Sequence, residues 1–189
     1  YYELIRMDPA YKIVFGKSDE LTVPADMNEL KDLFESLEQG SSSKLEKFLK
    51  EAEYKYNVGM GEFVFKPGLS VMEFADTRVM ASLFRLQMLS SMSSHVDKLF
   101  KNEKIRELLK FPVLFLGATP EDTPAMYSLM NYADLKLGTW FPKGGMFKIV
   151  EAMLSLAVEL GVKIKTYKNV NKIEVSNGIA NKVLTDIGE

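Results

Sequence analysis

With 189 residues, 47% of them hydrophobic and 26% charged, the chain has the apolar content to bury a core and the length of one domain or one domain with an annex, which excludes global disorder. A net charge of −2, from 24 basic and 26 acidic residues, lacks the basic excess that nonspecific nucleic-acid binding requires. The absence of cysteine and the single histidine, His95, exclude disulfides, thiolate or imidazole-rich metal centres and cysteine nucleophiles together, and fit a reducing, cytoplasmic compartment.

The first residues, Glu3 to Gly16 and Glu20 to Pro24, predict short strands broken by Asp8-Pro9 and by a turn over 16–19, forming an antiparallel pair. Asp26 with Glu29 three residues on is a helix N-cap signal. Met27, Leu30, Leu33, Phe34 and Leu37 follow at helical spacing, and Gly40 stops the run. Ser43 with Glu46 predicts a second capped helix whose apolar stripe is Leu45, Phe48, Leu49, Ala52 and Tyr56, ended or bent by Gly59 and Gly61. Between Met72 and Phe100 apolar residues, among them Val79, Met80, Leu83, Phe84, Leu86, Met88, Leu89 and Met92, surround an expected helix on all sides. A helix of that kind is enclosed by something apolar, and core packing is its ordinary reading.

Asn102 caps a helix carrying Ile105, Leu108 and Leu109, which Pro112 ends or kinks before the apolar run Val113 to Leu116. Thr123 and Pro124 are read as the cap and first turn of a helix to about Leu135. After Trp140-Phe141-Pro142, Gly144-Gly145 opens an amphipathic helix that Gly161 stops. The period then changes to two: Val162, Ile164 and Thr166 alternate with lysines, and Asn177-Gly178 separates two strand-like runs as a hairpin turn. Strands at both ends of a helical middle give the class α+β. No run approaches the roughly 18 apolar residues of a spanning helix, and no signal peptide opens the chain, so a soluble or membrane-peripheral protein is expected. The start at Tyr1-Tyr2 in place of methionine and the end at Glu189 read as cut ends.

The segment from Phe111 to Tyr132, with Gly117, Pro120 and the Pro124-Ala-Met-Tyr127 helix, closes in Gly138-Thr-Trp-Phe-Pro-Lys-Gly-Gly145 and a helix ending in Leu160-Gly161. In order as well as composition it resembles the bacterial phytoene desaturase family. Val162 to Asp186 is similar to that family's return strand and hairpin, while the first hundred residues match loosely. The resemblance implies an oxidoreductase that uses FAD to remove hydrogens from a long isoprenoid such as phytoene. It implies that residues 1–161 form the substrate-binding domain of a two-domain flavoprotein and residues 162–189 return to its FAD-binding domain. Such proteins seat the dinucleotide on an N-terminal GxGxxG turn. Here Gly59-Met60-Gly61 is the nearest approach, without a preceding strand or a third glycine, so this chain alone is not expected to bind FAD or to catalyse.

By the same resemblance Val170 matches a valine whose backbone meets the adenine, although an ordinary strand valine fits as well. Gly144 and Gly145 either let the backbone approach the flavin or form a tight turn, the commoner use of glycine. An apolar channel for a long hydrocarbon would be lined by Met88, Met92, Met126, Tyr127, Met130, Trp140 and Phe141, residues that core packing explains equally well. No catalytic residue is assigned: Arg106 reads as a solvated helical arginine, His95 as a half-buried helix residue, and Ser90-Ser-Met-Ser-Ser94 lacks the partners of a hydrolase. Two other readings stand beside the desaturase: an isoprenoid- or membrane-binding module without redox activity, and an α+β interaction domain. The Leu/Met-rich stretch from Leu83 to Met92 also raises contact with a membrane surface.

Overall fold

The computed structural model describes residues 1–63 and 86–186. They form two compact units, residues 5–141 and residues 142–189 with 1–4. The class is α+β, as expected.

In the larger unit, strands β2 (Tyr11–Val14) and β3 (Glu20–Val23) pair antiparallel, with Tyr11 opposite Val23 and Val14 opposite Glu20. This is the predicted hairpin. Strand β1 (Leu4–Arg6) instead pairs with a distant strand, β4 (Trp140–Pro142), and the Met7 N–H donates to the Thr139 carbonyl at 2.9 Å. Helix α1 (Met27–Leu37) is capped by Asp26, whose carboxylate accepts from the N–H groups of Asn28 and Glu29. That satisfies two of the donors a helix start leaves unpaired. It buries Leu30 and Phe34.

Helix α2 (Ser41–Val58) begins two residues before the predicted cap. Gly40, in the left-handed region at φ 79°, is the cap residue, so Ser43 lies inside the helix. Its stripe buries Leu45, Phe48, Leu49 and Ala52, and continues through Lys55. The Gly59–Phe63 segment widens into a π-type turn, the bend expected at Gly59 and Gly61.

Val79, Met80, Leu83 and Phe84 lie outside the described residues. Residues 86–90 form a turn, with Gln87 at φ 56°, and helix α3 (Met92–Leu99) starts only after Ser91, whose hydroxyl caps it. The expected continuous helix is therefore broken between Leu86 and Met92. Helix α4 (Glu103–Lys110) is capped by Asn102 and tightens into a 3₁₀ segment, Phe111–Leu116, at Pro112, which has no N–H to give. The stretch predicted as one helix after Pro124 changes pitch twice: 3₁₀ over Ala125–Ser128, one α turn, α5 (Leu129–Asn131), then a π-type turn over Tyr132–Leu137. Thr123 does not cap it. Its hydroxyl donates back to the Thr119 carbonyl at 2.7 Å.

The core lies among β3, α1, α2, α3 and α4. Phe100 meets Phe34 and Phe48 edge-on, with centroids 6.0 and 6.4 Å away. Such aromatic pairs add to the stabilisation from burying their area. The smaller unit holds α6 (Phe147–Glu159), stopped by Gly161 at φ 81°, and the hairpin of β5 (Val170–Ser176) and β6 (Ile179–Thr185). Asn177 and Gly178, at φ 52° and 76°, make the two-residue turn that the sequence announces. Residues 162–166 form no strand and pair with no strand among the described residues.

Candidate functional site

In the larger unit the chain from Ser90 to Ser93 runs beside Pro120 to Ala125. The Met92 N–H donates to the Thr123 carbonyl (2.7 Å), Ser93 N–H to Pro120 (2.9 Å), and Ala125 N–H to Ser90 (2.7 Å). This places the turn bearing Met88 next to the 3₁₀ segment bearing Met126 and Tyr127. Met126, Tyr127 and Met130 are half-buried, while their neighbours Ala125, Ser128 and Asn131 are buried. Met88 is exposed and lines a cleft of about 260 Å³ that Glu121 and Asp122 also line. Met92 sits wholly inside the core cluster, with 0% exposure, and its side chain is packing. Trp140 and Phe141 are exposed on β4, and the Trp140 indole N–H donates to the Leu137 carbonyl at 3.0 Å.

The smaller unit carries the three residues matched to a cofactor. Gly144 and Gly145 have φ 91° and 104°, a backbone that other residues rarely adopt. A Cβ at Gly144 would come within 3.1 Å of the Lys148 side chain, whereas Gly145 faces open space. The turn they form is hydrogen-bonded from the Gly145 N–H to the Pro142 carbonyl at 2.9 Å. Val170 is 54% exposed at the head of β5. Its neighbour Asn169 bonds to Asp186, through backbone and carboxylate. Val170 is paired opposite Thr185, and the register shifts between Val170 and Lys172. Nothing among the described residues resembles a pyrophosphate-binding turn, and Gly59-Met60-Gly61 lies within helical turns.

Several titratable groups among the described residues are held by burial and by neighbouring side chains. Burial, together with the nearby Lys55 and Lys98 ammonium groups, pushes His95 down to about 4, so its imidazole is neutral at pH 7 despite the Glu51 carboxylate 3.6 Å away. It stacks on Phe48. Arg106 is half-buried and 3.6 Å from Asp97, which also pairs with Lys110 at 2.8 Å. Tyr11 donates to Asp134 at 2.7 Å, and burial raises its phenol well above the usual range.

Sequence reasoning passed over one group. Lys55 is 1% exposed, and its Nζ donates to Gln87 Oε1 (3.0 Å), the Ala125 carbonyl (3.0 Å) and Ser128 Oγ (2.9 Å). Burial lowers this ammonium to about 8, while Glu51 draws it back up. The signal was present: three residues after Ala52, a lysine falls where the apolar stripe of α2 continues.

The match to known proteins agrees with this architecture. The chain belongs to the flavin containing amine oxidoreductase family, whose profile matches residues 6–189. Within that class it is similar to enzymes of carotenoid synthesis. It is 34% identical over 174 residues to a carotenoid 3,4-desaturase of Haloarcula japonica, covering 92% of this chain and 35% of that protein. It is 29% identical over 189 residues to a zeta-carotene-forming phytoene desaturase of Myxococcus xanthus, covering 100% of this chain and 37% of that protein. It is also 29% identical over 173 residues to a 4,4'-diapophytoene desaturase of Staphylococcus aureus, covering 92% of this chain and 34% of that one. The chain thus spans about a third of the length of these relatives. The resemblance read from the Phe111–Gly145 motifs is upheld, and it extends over the first hundred residues, which the motifs alone matched loosely.

Proposed function

We propose that the whole protein is an FAD-dependent desaturase of a long isoprenoid of the phytoene or carotenoid type. This chain supplies its substrate-binding part, residues 1–161, and return strands of its FAD-binding part, residues 162–189. The observation carrying the reading is the family match over residues 6–189, joined to desaturase relatives aligned over nearly all of the chain. The names of these relatives give no support to a binding module without redox activity or to a plain interaction domain.

FAD, when bound, would supply the oxidising power for removing hydrogen from two adjacent carbons. The protein's own task is to hold the hydrocarbon and exclude water. Met88, Met126, Tyr127, Met130, Trp140 and Phe141 offer apolar and aromatic surface for that task, and Met92 supports them from the core. Val170 would meet the adenine through its backbone, and Gly144-Gly145 would allow close approach of the cofactor. FAD titration followed by flavin fluorescence tests the cofactor assignment. The full-length protein is expected to bind, and residues 1–189 alone are not. Failure of the full-length protein to bind FAD would overturn the reading.

Substrates of this length reside in membranes, and we extend the proposal to peripheral contact with a lipid surface. Among the described residues no helix is long and apolar enough to span a bilayer. Leu114, Phe115 and Leu116 are three consecutive exposed apolar side chains, with Phe115 72% exposed. In liposome flotation the full-length protein is expected to rise with the vesicles and Phe115→Ser to rise less; wild-type protein remaining at the bottom of the gradient would refute membrane contact.

A further inference from the structure

Three features keep Lys55 from being an ordinary helical lysine. Its side chain is enclosed, its three ammonium protons meet three oxygens at 2.9 to 3.0 Å, and none of those oxygens belongs to a carboxylate. An apolar side chain would fill the same stripe of α2 without the desolvation cost of a charge. What the lysine adds is connection. Gln87 lies 32 residues away in sequence, Ala125 70 and Ser128 73. The Ser128 hydroxyl completes the knot by donating to the same Ala125 carbonyl at 2.8 Å. Along the other edge, the bonds of Ser90, Met92 and Ser93 to the 120–125 segment hold the same two chain segments together, so Lys55 closes the end at Gln87 that they leave open.

We infer that Lys55 is a positioning residue, tying the turn that carries Met88 to the 3₁₀ segment that carries Met126 and Tyr127 and so fixing the apolar surface offered to a long hydrocarbon. The inference rests on the isoprenoid reading above. The charged and titratable groups facing this amine among the described residues are Glu51, one turn earlier on α2, and His95 on α3, whose imidazole is neutral. Gln87 and Ser128 carry no charge. Deprotonation leaves two N–H donors for three oxygens, so the knot loosens as pH rises through about 8.

The test uses the full-length protein loaded with FAD and measures binding of phytoene delivered in liposomes, as KM and kcat across pH 6.5 to 9.5. Wild type is expected to show KM rising on the alkaline side. Lys55→Met is expected to raise KM about ten-fold at pH 7, with kcat changed less and with the alkaline limb gone. FAD affinity and melting temperature report whether the fold survives, and Lys50→Met is the surface control. Ser128→Ala serves if Lys55→Met fails to fold. It removes one acceptor of the charged form, so the alkaline limb should move to lower pH. A folded Lys55→Met with wild-type KM and pH profile overturns the inference while leaving the desaturase reading standing, as does an alkaline limb unmoved by Ser128→Ala. Wild-type protein that binds FAD but no polyene precursor overturns both.

Discussion

Glu38, just past the end of α1, accepts hydrogen bonds from the backbone N–H groups of Lys101 (2.7 Å) and Asn102 (2.8 Å) and from the ammonium of Lys44. Burial pushes its carboxyl upward, but the Lys44 ammonium and the two N–H groups outweigh it and hold the group at about 2, against an ordinary 4.5. A depressed carboxyl contributes stability that is fully present above about 4.5 and is lost as pH falls toward 2. Glu38→Gln is therefore expected to cost about 1–2 kcal/mol at pH 7 and to flatten the loss of stability between pH 4.5 and 2, as read from urea midpoints across that range. An unchanged acid profile would contradict the assignment. At this scale the sequence was legible where partners are near. Asp26 and Asn102 were readable as caps because the N–H groups that donate to them lie two and three residues on. Glu38 and Lys55 were not, since apart from Lys44 beside Glu38 the partners named sit 32 to 73 residues away and only the fold brings them within reach.

Gly138 shows what an element end can require. Its φ of 95° lies where side chains are strained, and a Cβ there would stand 2.8 Å from Arg6 Nε. That guanidinium is itself held by the Ala25 carbonyl at 3.0 Å. Gly138→Ala is expected to destabilise the protein by about 1–3 kcal/mol in chemical denaturation, from the backbone strain and the displaced arginine. A variant as stable as wild type would refute this account. Elements with a local signature were readable in the same way: the β2–β3 hairpin, the Asn177-Gly178 turn, and the stripes of α1 and α4. The breaks in helix type were less so. Met88 and Leu89 continue a helical apolar pattern, but the turn at 86–90 is held by Lys55 and by pairing with 120–125, and those tertiary bonds override the local preference. Ser43 likewise carries a capping pattern that Gly40, three residues earlier, takes over. For α6 the apolar face was legible and its packing was not. Within its own unit the helix buries only Ala152 and leaves Phe147 68% exposed.

For the molecule as a whole, the motifs from Phe111 to Gly145 carried the family, and the family carries the chemistry. For this chain, composition argued against nonspecific nucleic-acid binding, disulfides and thiolate or imidazole-rich metal centres, and periodicity gave the α+β class, but neither distinguishes a lipid channel from a core. Met92, inside the core, and Met126, half-buried beside it, read alike in sequence because methionine serves both roles. The reaction proposed for the whole protein removes hydrogen from a long isoprenoid with FAD as the acceptor. Its most direct test is an anaerobic single-turnover experiment in which FAD-loaded full-length protein is mixed with phytoene in liposomes and followed by absorbance. The account predicts that the oxidised flavin band bleaches while the absorption of a longer conjugated polyene grows in step with it. An unbleached flavin with phytoene recovered unchanged would contradict the account.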